Sequence, residues 1–511
     1  MLPQNWEFKL IDANVEPILD EHYEWADIVC SGGILSQQLE IFSIIEKAHS
    51  FGKKVLLGGP EPSSQSNYYL AADYLIMGEG EDTIPLFLED LKNGSKRGRY
   101  TVIEFTDMRE AVVPRFDLID HRDYLMMGIQ FSRGCPYNCE FCNVVELFGR
   151  KFRTKTIQQV ITELQVLYNL GYRGRIFFVD DNFFGDKRSV LELLKKIRKW
   201  SQKRNYPFYF AAEVTINMAE DDEILKLAKE ADLRYFSIGL ETPDNDILLS
   251  IQKTQNTNKQ ISQVIKKIYS YGIAVDTSFI LGFDGEHEKT ADNMINCIQE
   301  AGICMAMIGT LYALPNTRLA VRLYKEGRLI HKSKLQKDYI TDIDQMTSGL
   351  NFLTLRSEKI ILMDFIKVLY KIYDPVNYYK RLLYTGINLK CDYKYKPDLK
   401  KTIRNFKAFL RICIEYGLKR KTGLIYWRTF FTVLFRNPRA LEVVVSFAAM
   451  YIHLSKHSQF IISLMKERIH NISEFNDKDI STVEKSDDLT DVPEISRTFG
   501  KGNIISDRSN K

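Results

Sequence analysis

From Ile129 onward, short apolar runs ending in an acidic residue or glycine alternate with segments of helical spacing. No other feature restricts the fold as much. Candidate strands are IQFSR (129–133), RIFFVD (175–180), FYFAAE (208–213), RYFSIGL (234–240), VDTSFILGF (275–283) and AMIGTLYAL (306–314). Helical segments separate them, among them TIQQVITELQVLYNLG (156–171) and DDEILKLAKEA (221–231). Strands joined through helices pair in parallel. Six such units in about two hundred residues predict a partial α/β barrel. In barrels the chemistry sits at the C-terminal strand ends, where Asp180, Glu213, Glu241 and Gly282 fall.

The first hundred residues repeat the pattern on a smaller scale. WEFKLID (6–12), ADIVCSG (26–32), KKVLLGG (53–59) and DYLIMGEG (73–80) read as strands, and QQLEIFSIIEKAHSFG (37–52) and EDTIPLFLEDL (81–91) as helices. This predicts an open, Rossmann-like parallel sheet. NGSKRGRY (93–100) reads as a turn-rich stretch and VPRFDLID (113–120) as a connector. From about residue 331 the strand pattern gives way to Lys, Arg, Tyr, Phe and Leu at helical spacing, and from 473 to polar residues with few aromatics. The expected division is an N-terminal α/β unit over 1–105, a linker over 106–127, a barrel core over 128–330, a helical domain over 331–472 and a disordered tail over 473–511.

Charge excludes one class of function. The 70 basic and 66 acidic residues leave a net charge of +4, which gives no footing for a general nucleic-acid binder. MLPQNWEFKLID carries no basic flank before an apolar run, so no signal peptide is read. No run reaches the roughly 20 apolar residues of a membrane span. Of the eight cysteines, three fall at 135, 139 and 142 and the other five are scattered. A secreted disulfide framework would look different, and a reducing, cytoplasmic compartment is expected.

The clustered cysteines lie in FSRGCPYNCEFCNVVELFGRK, spaced C-x-x-x-C-x-x-C just after a predicted strand. Thiolates suit iron–sulfur clusters and zinc. Structural zinc and closed [4Fe–4S] clusters take four protein ligands, and no fourth Cys or His lies nearby, His121 being the closest. Three cysteines on a cubane leave one iron open to an outside ligand. A zinc site and bystander thiols are the alternatives.

These residues resemble the cobalamin-dependent radical S-adenosylmethionine (SAM) family over about residues 6 to 470, in the branch of the hopanoid methylases with their helical C-terminal domain. CPYNCEFCNVVELFGRKFRTK (135–155) carries most of the likeness, with FVDDNF (178–183), AAEVTIN (211–217), GLETPD (239–244), FILGFDGE (279–286) and LPNTRL (314–319). The resemblance implies that Cys135, Cys139 and Cys142 bind a [4Fe–4S] cluster, and that the amino and carboxylate groups of SAM occupy the open iron. It implies reductive cleavage of SAM to a 5′-deoxyadenosyl radical, by an electron from a flavodoxin or ferredoxin, and methylation of an unactivated carbon. Phe141 would lie by the adenine. Asp180 and Asp181 would face the SAM amino group, Glu213 would hold SAM's polar end or ribose, and Glu241 would line the same mouth. Ile280 and Gly282 would bring backbone close to the adenine. Each carboxylate could instead be a solvated or capping group, and Gly282 a plain turn glycine. Ser31, Gly32, Gly58, Gly59 and Pro60 would border the nucleotide tail of cobalamin, although tight strand–helix turns also explain such glycines.

Asn143 stands where the branch commonly has Asp, and Asn316 where Pro-Gly-Thr is usual; Asn tolerates a left-handed turn. Family members usually begin with a further strand and helix, and some carry an Asp-x-His-x-x-Gly motif whose His ligates cobalt. This chain shows neither, so its cobalamin unit is expected to be truncated. His22 and His49 read as surface residues. GLIYWRTFFTVLFRNPRALEVVVSFAAMYIHL (423–454) reads first as paired core helices broken at Asn437-Pro438, and second as an amphipathic surface for membrane or an apolar substrate. The substrate is expected to be a small or lipid-like molecule, not a nucleic acid, and peripheral membrane association stays open. The rival functions are a radical SAM oxidative cyclase or rearrangement enzyme and a non-catalytic iron–sulfur protein.

Overall fold

The computed structural model describes residues 1–330, 347–417 and 422–475. The expected tail lies outside the described residues from 476, and the helix Leu441–Phe475 carries the helical region to that point.

The N-terminal sheet has four parallel strands in the order β1 (Ile28–Gly32), β2 (Lys54–Gly58), β3 (Tyr74–Ile76) and β4 (Gly98–Tyr100). Its helices Gln38–Ser50 and Gly80–Lys92 match the expected ones. Two strand expectations are corrected. WEFKLID forms no strand; Trp6 packs on a small apolar cluster, and Asp12 accepts a hydrogen bond from Tyr124 Oη at 2.8 Å. With no neighbouring strand to satisfy its backbone, apolar alternation alone cannot make it one. Conversely, the stretch read as turn-rich contains β4, recruited by pairing along β3 and by Arg99 donating to the carbonyl of Ala72 at 3.1 Å.

The central sheet has six parallel strands: β5 (Met126–Ile129), β8 (Gly174–Phe178), β9 (Phe208–Val214), β10 (Leu233–Glu241), β11 (Ala274–Leu281) and β12 (Met305–Thr310), adjacent in sequence order. Between β5 and β8 a two-stranded antiparallel ribbon, β6 (Ser132–Arg133) and β7 (Arg153–Thr154), closes the cysteine loop at its base. Along each barrel strand, alternate residues point outward and are buried under helices, such as Ile176, Phe178, Phe236 and Ile308. The intervening residues point into the barrel. In a filled barrel these are buried too. Here Val179, just past the end of β8, is 48% exposed, and Met307, on the edge strand β12, is 52% exposed. The six-stranded barrel is open between its edge strands β5 and β12, and its inner face, the lumen, is accessible.

Helices from Glu358 onward pack outside β12 and the helix Thr290–Ala301. The pair Gly423–Arg436 and Leu441–Phe475 is broken by Asn437 and Pro438 as expected. Val443, Val444, Phe447, Ala448 and Tyr451 are core residues, so the second half of that apolar segment is interior.

Candidate active site

The thiol loop is built by backbone constraints. Gly134 has φ of +85°, and a Cβ there would meet Lys151 O at 2.5 Å. Only glycine permits this entry into the loop. Asp181 accepts from Gly134 N at 2.9 Å, and Cys135 N donates to Gly149 O at 3.3 Å. On the far side Glu140 N donates to Ile251 O at 2.9 Å, and Arg322 is ion-paired with Glu140.

The loop gathers the three cysteines. Burial pushes the Cys142 thiol up to about 12 and raises Cys135, and a charge on Cys139 adds to both. A set of three thiols fits a cubane whose fourth iron is left open to an outside ligand, where a closed zinc site takes four protein ligands.

A set of residues behind the loop gave no signal in the sequence. Lys253 is buried and ion-paired with Glu241, and its Nζ lies 5.7 Å from the centre of the Phe141 ring. Its pKa is raised: burial opposes the charge, but Glu241 and then Cys139 outweigh it. Gln255 Nε2 lies 3.5 Å from Cys139 Sγ. Asn256 Nδ2 donates to Gly239 O at 2.9 Å and Leu240 O at 3.1 Å, fixing the bulge where β10 ends. Each comes from the segment after β10, and only folding brings them under Cys139.

Phe141 packs edge-on against Phe283 at 5.8 Å, beside Gly282. Gly282 has φ of +107°, and a Cβ would meet Leu350 at 2.5 Å; Glu286 accepts from Gly282 N at 2.7 Å. Ile280 faces the lumen opposite Gly309. Glu213 is accessible from the lumen, and its pKa is raised, mostly by burial and then by Asp276 and Asp181. Asp180 is 1% exposed and accepts from the backbone of Phe131 and from both the backbone and hydroxyl of Ser132, so its oxygens hold the loop entry. Glu241 is buried against Lys253, with φ of +63°. A left-handed non-glycine residue costs roughly 1–2 kcal/mol, and the ion pair holds it there.

The N-terminal sheet abuts this loop. Arg133 donates to Glu79 at 2.8 Å and to Glu81 at 2.8 Å, and Arg153 reaches Glu79 at 2.9 Å. The MGEGE turn is thereby clamped two residues before Cys135. The short helix Pro60–Ser64 touches Val144–Phe148, the helix after Cys142. Asn316, left-handed at φ of +64° as expected, donates to Ser64 O at 2.8 Å. Ser31, Gly32, Gly58, Gly59 and Pro60 border this junction, with Gly32 and Gly58 in register. A Cβ on Gly32 would meet Gly58 O at 2.6 Å. The turns leave bare backbone at the strand ends, which fits the tail of a large flat cofactor. His22 and His49 do not reach it: His22 accepts from Leu19 N at 3.1 Å, and His49 pairs with Asp73 at 3.0 Å.

Comparison with known proteins agrees with this geometry. Residues 129–298 match the radical SAM superfamily, and residues 317–467 match a domain of unknown function, DUF4070. The chain is 35% identical to an uncharacterized methyltransferase of Synechocystis sp., over 92% of this chain and 87% of that one. It is also 35% identical to the hopanoid C-2 methylase of Rhodopseudomonas palustris, over 68% of this chain and 67% of that one. The structure of OxsB, a cobalamin-dependent SAM radical enzyme with aqua-cobalamin and S-adenosylmethionine bound, superposes with a TM-score of 0.54 at 14% identity, covering 88% of this chain and 72% of that one. The loop of three thiols at the mouth of an open barrel, joined to a glycine-edged sheet, thus has its counterpart in sequence, and the chain belongs to the radical SAM methyltransferase family that includes hopanoid C-2 methylase.

Proposed function

We propose that this enzyme methylates an unactivated carbon of an apolar, lipid-like small molecule seated in the barrel lumen. The observation that carries the reading is the lumen itself: Val179, Ile280 and Met307 present apolar surface inside the barrel, below the thiol loop. The hopanoid C-2 methylase relative supports a substrate of that character. When bound, the cluster with SAM supplies a hydrogen-abstracting 5′-deoxyadenosyl radical, and cobalamin supplies the methyl group.

The protein's own residues position and shield. Cys135, Cys139 and Cys142 hold the cluster. Asp181 and Asp180 fix the loop that carries them, and Gln255 donates to one ligand sulfur. Glu213 and Asp181 offer acceptors for SAM's polar end, and Phe141 with Phe283 makes an apolar wall for its adenine. Deeper in the lumen Ser237 donates to Asp276, whose pKa burial raises; this pair receives a polar end of the substrate. Ser31, Gly32, Gly58, Gly59 and Pro60 border the cobalamin tail. The division at 105, 127, 330 and 472 describes the working units. A flavodoxin- or ferredoxin-like reductant serves the cluster, and the site of action is cytoplasmic or at the inner face of a membrane.

The test is anaerobic reconstitution with iron, sulfide and hydroxocobalamin, followed by desalting. About four irons, a retained cobalamin spectrum and 5′-deoxyadenosine from SAM under reduction are expected. The Cys135→Ala/Cys139→Ala/Cys142→Ala variant should lose iron and 5′-deoxyadenosine together. Cleavage without retained cobalamin would overturn the methylase reading while leaving the radical one.

A further inference from the structure

The helix Leu399–Ile412 (LKKTIRNFKAFLRI) stands out from the body along most of its length; Ile412 is its one buried residue. Leu399, Ile403, Phe406 and Leu410 are all exposed, with Phe406 at 59%. At 3.6 residues per turn these four fall within roughly 60° of arc. They form one continuous apolar stripe that the described residues leave uncovered. The helix Gly423–Arg436 (GLIYWRTFFTVLFR) repeats the feature: Leu424 is 82% exposed, Phe435 is 80% exposed, and Phe431 lies between them on the same face. Phe409 stacks on Phe430 at 5.5 Å and ties the two helices together.

Charge chooses the partner. Lys400, Arg404, Lys407 and Arg411 are exposed and follow one flank of the first stripe. Arg428 and Arg436 are exposed on the second helix. Neither helix contains an Asp or Glu, in a chain whose basic and acidic residues nearly balance overall at 70 and 66. Core helices bury their apolar stripe, and solvated helices mix both charges. An exposed apolar stripe edged only by cations is the pattern of a helix lying in the interface of an anionic bilayer. No helix among the described residues is long and apolar enough to cross one.

We propose that these two helices form a peripheral membrane-binding face for a bilayer containing anionic lipid. The face lies at the base of the barrel. Lys401 Nζ donates to Arg173 O at 3.2 Å, one residue before β8 begins, and Arg234 at the start of β10 donates to Tyr395 O at 3.1 Å. The thiol loop is at the opposite ends of these strands. The face therefore anchors the enzyme on the bilayer without itself delivering substrate to the lumen mouth. Of the segment 423–454 only the first helix keeps the membrane-facing role, which it shares with the stripe at 399–410.

The test is sedimentation of the full-length protein with phosphatidylcholine vesicles, with and without phosphatidylglycerol. The protein should pellet with phosphatidylglycerol vesicles and lose that binding in high salt. Lys400→Glu/Arg404→Glu/Lys407→Glu should weaken binding by about a hundredfold or more, since each cation contributes about tenfold or somewhat less at such a surface. Phe406→Ser/Leu410→Ser should weaken it as well, with iron content and far-ultraviolet circular dichroism unchanged. Three results would overturn the proposal: a soluble wild-type protein with either vesicle, equal binding with and without phosphatidylglycerol, or a wild-type dimer in light scattering that Phe406→Ser/Leu410→Ser converts to a monomer.

Discussion

Gln255 Nε2 points at Cys139 Sγ from 3.5 Å, across 116 residues of sequence. A hydrogen bond to a cluster sulfur stabilises the more negative, reduced state. Gln255→Leu should therefore lower the cluster midpoint potential at unchanged iron content. Electron paramagnetic resonance during a redox titration measures this, and an unchanged potential would remove Gln255 from that role. Activity should fall about 10- to 100-fold, as for other outer-shell partners of metal ligands.

The Lys253–Glu241 pair is buried, and its removal is asymmetric. Glu241→Ala leaves a buried ammonium without its partner and should cost about 3–5 kcal/mol. Lys253→Met/Glu241→Leu should cost less than either single change. Denaturant unfolding of the apo-protein checks the order, and additive losses would show that the pair is not coupled.

Arg133 fastens the cysteine loop to the N-terminal sheet through Glu79 and Glu81. Arg133→Ala should loosen that junction, seen as faster hydrogen exchange in both the MGEGE turn and the thiol loop, and should reduce cobalamin retention more than iron content. Equal protection in the variant would show that Arg153 and Asn316 suffice.

The same clamp sets a pH dependence. Burial raises the Glu81 pKa, but the Arg133 guanidinium lowers it more, so its folded-state value lies below the usual 4.5. The stabilisation is complete above that value and is lost as pH falls through the folded one. Acidification below about 4.5 should open the junction in the wild-type protein. Glu81→Gln should remove that transition and lower stability at neutral pH.

Met307 projects into the lumen. Met307→Trp should fill that space and lower product methylation by more than about tenfold, with 5′-deoxyadenosine formation in the absence of substrate unchanged, since only the substrate's room is taken. Parallel loss of both activities would place Met307 in SAM binding instead.

By itself the sequence determined the fold class, the order of the barrel strands, the gathering of three cysteines on one loop and the break at Asn437-Pro438. These rest on local signals: apolar period, glycine and proline positions, and cysteines three and four residues apart. The tertiary structure decided what depends on pairing across distance. Residues 6–12 look like a strand and have no partner, while Gly98–Tyr100 looks like a turn and is captured by β3. Asp180 and Asp181 are neighbours of the same type, yet strand geometry buries the first under Ser132 and leaves the second beside Gly134. Lys253, Gln255 and Arg133 carry no motif, because a buried partner is defined by what folds against it. The stripe at 399–410 reads as core by period alone, and only the absence of a covering helix in the described fold turns it into a surface.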